Sequence, residues 1–153
     1  MNNHQIPTRH HVPSARCKLY HPGTRQAIGE TMATIVHFDI PAEDPERAKK
    51  FYAGLLDFRY TEYPEMQYNL IETTDTEGKP GVGGGLGKRM DPSQRMRNYF
   101  GVASIDKSMK KVQKLGGKIE MAKMPVPGMG WLANCIDTEG NAFGLWEQDT
   151  KAK

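Results

Sequence analysis

The sequence predicts an α+β domain in which two βαβββ modules stand in tandem and form curved mixed sheets around a cleft. Three observations lead there. The order strand, helix, three strands occurs twice, over about residues 34–90 and 97–147. Two segments recur about 60 residues further on, the mark of an internal duplication: Lys49-Lys50 returns as Lys110-Lys111, and Asp75-Thr76-Glu77-Gly78 returns as Asp137-Thr138-Glu139-Gly140, with offsets that differ by a single residue. Finally, a half of about 60 residues with one helix and four strands cannot bury both faces of its sheet. The halves are therefore expected to pack together, helices outside, around a shared hollow suited to a small ligand.

Each element has its own signature. In Ile35-Val36-His37-Phe38-Asp39-Ile40, alternation puts Val36, Phe38 and Ile40 on one face and His37 and Asp39 on the other. Pro41 to Asp44 ends that strand. Pro45 at a first helical position, Glu46 in the first turn, and apolar Ala48, Phe51, Tyr52, Leu55 and Leu56 mark a helix to about Leu56. Strands near Phe58 to Tyr63 and Tyr68 to Thr73 follow, then the turn at Asp75, then a glycine-rich strand from Gly81 to Gly87. Its missing side chains are expected to leave room at the cleft floor. The second half offers a strand from Tyr99 to Ala103 and a helix from about Asp106 to Leu115, stopped by Gly116-Gly117. Strands near Lys118 to Ala122, Trp131 to Ile136 and Ala142 to Glu147 complete it.

Composition narrows the function. The chain has 153 residues, enough for one domain, with 21 Lys and Arg against 18 Asp and Glu. The excess belongs to residues 1–31, where Arg9, Arg16, Lys18 and Arg25 face Glu30 alone, and the rest is balanced. A neutral body gives no electrostatic attraction to nucleic acid. Residues 1–31, with His4, His10, His11, His21 and three prolines, read as a disordered leader before a domain spanning 32–150. Cys17 and Cys135 are far apart and form no CxxC pair, which fits a reducing cytoplasm. No apolar run approaches a membrane span, so neither membrane nor nucleic acid is an expected partner.

Nucleotide and hydrolase motifs are absent. Gly87-Lys88 lacks the glycine five positions earlier that a phosphate loop needs, Arg89 replaces its hydroxyl residue, and GxGxxG does not occur. His37 is the only histidine after the leader, and no nucleophile elbow accompanies it.

Two segments resemble a known family. Val36-His37-Phe38-Asp39-Ile40-Pro41 through Pro45 to Tyr52, and the closing Asp137-Thr138-Glu139-Gly140-Asn141-Ala142-Phe143-Gly144-Leu145, are similar to the vicinal oxygen chelate superfamily of glyoxalases, bleomycin-resistance proteins and extradiol dioxygenases. Lys123 to Trp131 resembles the glyoxalase-like members of undefined substrate. In metal-using members the resemblance implies four ligands, one from the first and one from the last strand of each half. His37 falls on the first. The others fall on Gly84 or Gly85, on Arg97 or Tyr99, and on Gly144. One ligand in four does not hold an ion tightly, so no cofactor is expected, with a divalent metal through His37 as the alternative. The resemblance also implies a homodimer.

His37 is the candidate catalytic residue, as a general base or lone ligand, or else a hydrogen-bonded strand residue left from an ancestral metal site. Asp39 and Glu72 stand on strands from which either carboxylate can pair with it. Tyr99, Trp131 and Trp146 are candidate rings for stacking on an organic ligand, with core packing as the plain reading of the tryptophans. Met121, Met124 and Met129 around Pro125 and Pro127 form a candidate deformable lid. These residues predict a small-molecule site without a tightly bound metal. A metal-dependent lyase, isomerase or dioxygenase using His37, and a sequestering protein resembling bleomycin-resistance proteins, are the alternatives.

Overall fold

The first periodic segment forms the strand on which both halves are assembled. In the computed structural model, which describes residues 33–153, β1 (Ile35–Ala42) pairs in parallel with β4 (Gly84–Lys88) and antiparallel with β5 (Arg97–Gly101). β2 (Arg59–Tyr63) and β3 (Tyr68–Glu72) complete the first half, and β6 (Lys118–Val126), β7 (Gly130–Ile136) and β8 (Ala142–Gln148) the second. β5 pairs in parallel with β8, as β1 does with β4. One eight-stranded mixed sheet results, in the order β2-β3-β4-β1-β5-β8-β7-β6. The halves thus join edge to edge through β1 and β5. A strand edge carries a row of backbone donors and acceptors, and each half satisfies the other's. The expected leader, residues 1–31, lies outside the described residues, among which no helix is long and apolar enough to cross a membrane.

Both helices cover one face of this sheet. α1 (Pro45–Leu56) starts at Asp44, whose carboxylate accepts the Arg47 N–H at 2.9 Å, with Pro45 in its first turn. α2 (Ile105–Lys114) is capped by Ser104 and followed by Gly116 in the left-handed region, φ 89°. Under α1 the buried core is Ile40, Ala42, Ile71 and Leu86, with Phe38, Ala48, Tyr52 and Phe58 packed against it. Under α2 it is Ile105, Ala133, Cys135 and Leu145. The helical step brings Ala48 and Tyr52 of α1 to the sheet but leaves Phe51, Leu55 and Leu56 at its flank, each at least half exposed.

The duplication is visible atom by atom in the repeated turn. The Asp75 carboxylate accepts the N–H groups of Glu77 and Lys79, and Asp137 accepts those of Glu139 and Asn141, all at 2.8–2.9 Å. Gly78 and Gly140 then take φ 79° and 85°, a conformation that requires glycine.

Three expectations are corrected. A bulge in the β1–β5 ladder, where Ile35 faces Phe100 and His37 faces Tyr99, leaves Val36 unpaired. Its side chain turns to the helix-free face and lies over Gly101. β5 starts at Arg97, which pairs with Asp39 across the joint. The expected methionine lid is in part strand: β6 continues through Met124 and Pro125 to Val126. β6 is an edge strand, where a proline without an N–H removes no ladder bond.

Leu86 is fully buried between the sheet and α1. Leu86→Ala is expected to lower stability in denaturant unfolding by about 2–5 kcal/mol. An effect below about 1 kcal/mol would contradict the placement of the first core.

Candidate functional site

The helix-free face carries a hydrogen-bonded group built from three strands. His37 and Asp39 project from β1 to this face, since Phe38 and Ile40 point to the core beneath α1. His37 Nε2 lies 3.2 Å from Asp39 Oδ1 and 2.8 Å from the Tyr68 hydroxyl of β3, and that hydroxyl donates to Asp39 Oδ1. Tyr99 of β5, directly opposite His37, completes the group, with ring centroids 5.8 Å apart in an edge-on arrangement.

Bare backbone makes the group possible. β4 stands between β3 and β1, and Gly85 and Gly87 occupy its helix-free face, paired with Leu70 and Tyr68. A Cβ on Gly85 would overlap the Tyr68 hydroxyl and ring carbons. Tyr68 therefore lies along β4 and reaches β1. In the second half, a Cβ on Gly144 would overlap the ring of Tyr99, its register partner. The glycines do not leave the open floor that the sequence predicts. Tyrosine rings cover it.

Electrostatics follow from this packing. Burial works to raise the Asp39 pKa, but hydrogen bonds from His37, Tyr68 and Tyr99 and the attraction of His37 outweigh it, and the net shift is downward. Asp39 is an ionised acceptor at neutral pH. Tyr68 and Tyr99 are both pushed above the ordinary phenol range, chiefly by burial and next by the Asp39 charge. Both remain protonated donors. With Tyr68 donating to Asp39, the contacts of His37 Nε2 are satisfied when that nitrogen carries the proton. No hydrogen bond engages Nδ1 among the described residues, so its lone pair is available.

The sequence-derived candidates separate into two groups. His37, Asp39 and Tyr99 come together. Glu72 shares their face by alternation but sits exposed at the end of β3, two strands from β1, about 10 Å away at ordinary strand spacing. Trp146 also shares the face, its ring against Gly130. Trp131 does not: it packs on the core beneath α2, donates to Asp149 at 3.0 Å and lies under the Lys123 ammonium at 4.9 Å. Sequence reasoning missed Tyr68. Its signal was the pairing of an aromatic strand with alternating glycines, which gives a ring space to lie across its neighbour.

The register narrows the four positions that the resemblance implies for metal-using members. Asp39 pairs with Gly85 and Tyr99 with Gly144, so Arg97 stands two residues before Tyr99 as His37 stands before Asp39. The set is His37, Gly85, Arg97 and Gly144. Gly84 is excluded because its missing side chain would meet Phe38 on the other face. One imidazole, a guanidinium and two glycines do not fit a divalent ion, and no three His, Cys, Asp or Glu cluster among the described residues. Arg97 instead reaches across β8 and β7 to Glu120 of β6, and this ion pair spans the curl of the second half.

Comparison with known proteins bears on the fold. The model of the Glyoxalase/Bleomycin resistance protein/Dioxygenase superfamily matches residues 34–145. No curated protein matches the sequence. A solved superfamily member from Vibrio splendidus 12B01 is 15% identical with a TM-score of 0.56, over 76% of this chain and 100% of that one. Streptomyces coelicolor methylmalonyl-CoA epimerase in complex with 2-nitronate-propionyl-CoA is 16% identical with a TM-score of 0.55, over 77% and 99%. A hypothetical protein from Bacillus halodurans C-125 is 16% identical with a TM-score of 0.54, over 80% and 99%. At these identities the likeness is one of fold.

The raised phenols yield a prediction. A tyrosine whose folded-state pKa is raised favours the folded state fully below the ordinary value of about 10, and loses that contribution as pH rises through the folded-state value. In a spectrophotometric titration of the folded protein, Tyr68→Phe and Tyr99→Phe are expected to leave the amplitude up to about pH 11 unchanged. Loss of one tyrosine equivalent in either variant would show that phenol to be exposed.

Proposed function

Because the chain belongs to the Glyoxalase/Bleomycin resistance protein/Dioxygenase superfamily, we propose that the helix-free face around His37 binds a small, largely apolar organic molecule without a tightly held metal. In this reading His37, oriented through Nε2 by Asp39 and Tyr68, exchanges a proton with that molecule through Nδ1. The observation that carries it is the pair of glycines where metal-using relatives place ligands, each covered by a tyrosine. With glycine at those positions, the helix-free face carries one ionised carboxylate, one imidazole and two phenols, a set suited to hydrogen bonding and proton transfer. Half-buried Leu70, Leu132 and Trp146 share the face and supply apolar surface.

The roles follow from hydrogen-bond logic. The Asp39 carboxylate fixes the imidazole tautomer and stabilises the imidazolium that forms when Nδ1 accepts a proton. Tyr68 holds the carboxylate in place. Tyr99 stands edge-on to the imidazole and bounds the space beside it.

A thermal-shift screen of small organic molecules tests the proposal, using full-length protein with His4, His10, His11 and His21 changed to alanine, with and without chelator or added Zn, Mn, Ni or Fe. Ligands that raise the melting temperature equally under all conditions, and whose turnover His37→Ala lowers at least about tenfold, are the expected result. Stabilisation without turnover would replace proton exchange by sequestration. One divalent ion per chain surviving dialysis, with binding abolished by chelator, would overturn the metal-free reading.

A further inference from the structure

Away from the His37 face, α2 carries an outward row of charge of a single sign. Lys107, Lys110, Lys111 and Lys114 stand at i, i+3, i+4 and i+7, so they share the outer side of the helix, while Ile105, Met109 and Val112 face the core. All four are exposed. Among the described residues no carboxylate lies within ion-pair reach of any of them, whereas Lys49, Lys79 and Lys123 each hold one. The remaining residues, 1–32, bring Glu30 as their single acid. Counted from the caps Asp44 and Ser104, the places of Lys111 and Lys114 belong in α1 to Phe51 and Gly54, so the row is no part of the duplicated plan. Nor does the helix call for it. Like charges three and four residues apart repel, and Lys107 sets a cation in the first turn, at the positive end of the helix dipole. A row that opposes its own helix becomes favourable when an anionic partner lies along it.

We propose that this row docks an acidic helix of a protein partner, with carboxylates at the same i, i+3, i+4 and i+7 spacing. Charge complementarity sets the sign of the partner, and geometry sets its form. From Lys107 to Lys114 the row rises about 10 Å at roughly 1.5 Å per residue. A helix laid along it presents carboxylates at the same rise, one for each lysine. An extended strand, with about 7 Å between side chains on one face, meets only two. Leu115, 67% exposed, stands one turn beyond Lys111 and offers the partner an apolar contact at the end of the row. Nucleic acid is the poorer match, since no arginine or aromatic side chain interleaves the lysines. A flat anionic membrane would meet the acids that flank the row as well: Asp106 in the first turn, and Glu139 beyond the last, next to the Thr138 that packs on Gly116.

The test uses two lactam-bridged helical peptides of one composition, titrated by fluorescence anisotropy into full-length protein. One carries glutamates at i, i+3, i+4 and i+7, and the other has the same glutamates spread around the helix. Oligothymidylate and phosphatidylserine vesicles are run beside them, and every titration is repeated with the K107Q/K110Q/K111Q/K114Q variant, its fold verified by circular dichroism. The patterned peptide is expected to bind about tenfold or more tighter than its isomer and to weaken with added salt. In the variant it is expected to lose about tenfold or more, the combined effect of four exposed ion pairs. A second variant, Lys110→Glu with Lys111→Glu, is expected to reject the patterned peptide and to accept its counterpart with lysines in the two facing places. Equal binding of the two isomers, equal binding by the wild type and the glutamine variant, or no binding at low salt would overturn the proposal. Oligothymidylate or vesicles that bind more tightly than the patterned peptide, and lose that binding in the variant, would overturn it in favour of nucleic acid or membrane.

Discussion

The arrangement depends on two stretches of strand that carry no side chains on one face. Gly85 and Gly87 leave β4 bare, and Gly144 does the same on β8. Tyr68 therefore crosses an intervening strand to reach His37 and Asp39. Tyr99 fills the matching place in the other half. A single methyl group at Gly85 would occupy the position of the Tyr68 hydroxyl, and the group on β1 would lose its third member.

The electrostatics of the face follow from that packing. Asp39 is buried enough to raise its pKa, yet three donors around it reverse the effect. Burial, and next the same negative charge, hold both phenols protonated. Each group thereby has one role: Asp39 accepts, Tyr68 donates, Tyr99 stands edge-on to the imidazole, and His37 has one nitrogen engaged and one available. On the other side of the joint, Arg97 occupies the place equivalent to His37 but is drawn to Glu120. The two halves share a backbone plan and differ in chemistry, with a hydrogen-bonded imidazole and carboxylate on β1 and an ion-paired guanidinium on β5.

Local pattern made most of the fold legible. The duplicated turn, the Pro45 helix start and the Gly116 stop depend on residues within a few positions of each other, and they stand as the sequence implied. The edge-to-edge joint through β1 and β5 is a long-range pairing that no local pattern encodes, and the bulge at Val36 belongs to that joint. Of the site, His37, Asp39 and Tyr99 were readable because strand alternation gives the face of each residue. Tyr68 was not, because its role depends on which strand neighbours it and on how far a ring lies across bare backbone. Trp131 was ambiguous for the opposite reason: a large ring serves a core or a cleft equally well, and the register of β7 decides for the core.

A double-mutant cycle between Gly85→Ala and Tyr68→Ala, measured by denaturant unfolding, tests the central claim most directly. If Tyr68 occupies the space that Gly85 leaves, Gly85→Ala destabilises the wild-type protein by roughly 1–3 kcal/mol. The same substitution then has little effect once Tyr68 is removed, a coupling of about 1 kcal/mol or more. Additive effects within about 0.5 kcal/mol would mean that the tyrosine and the bare strand are independent, and would contradict the account.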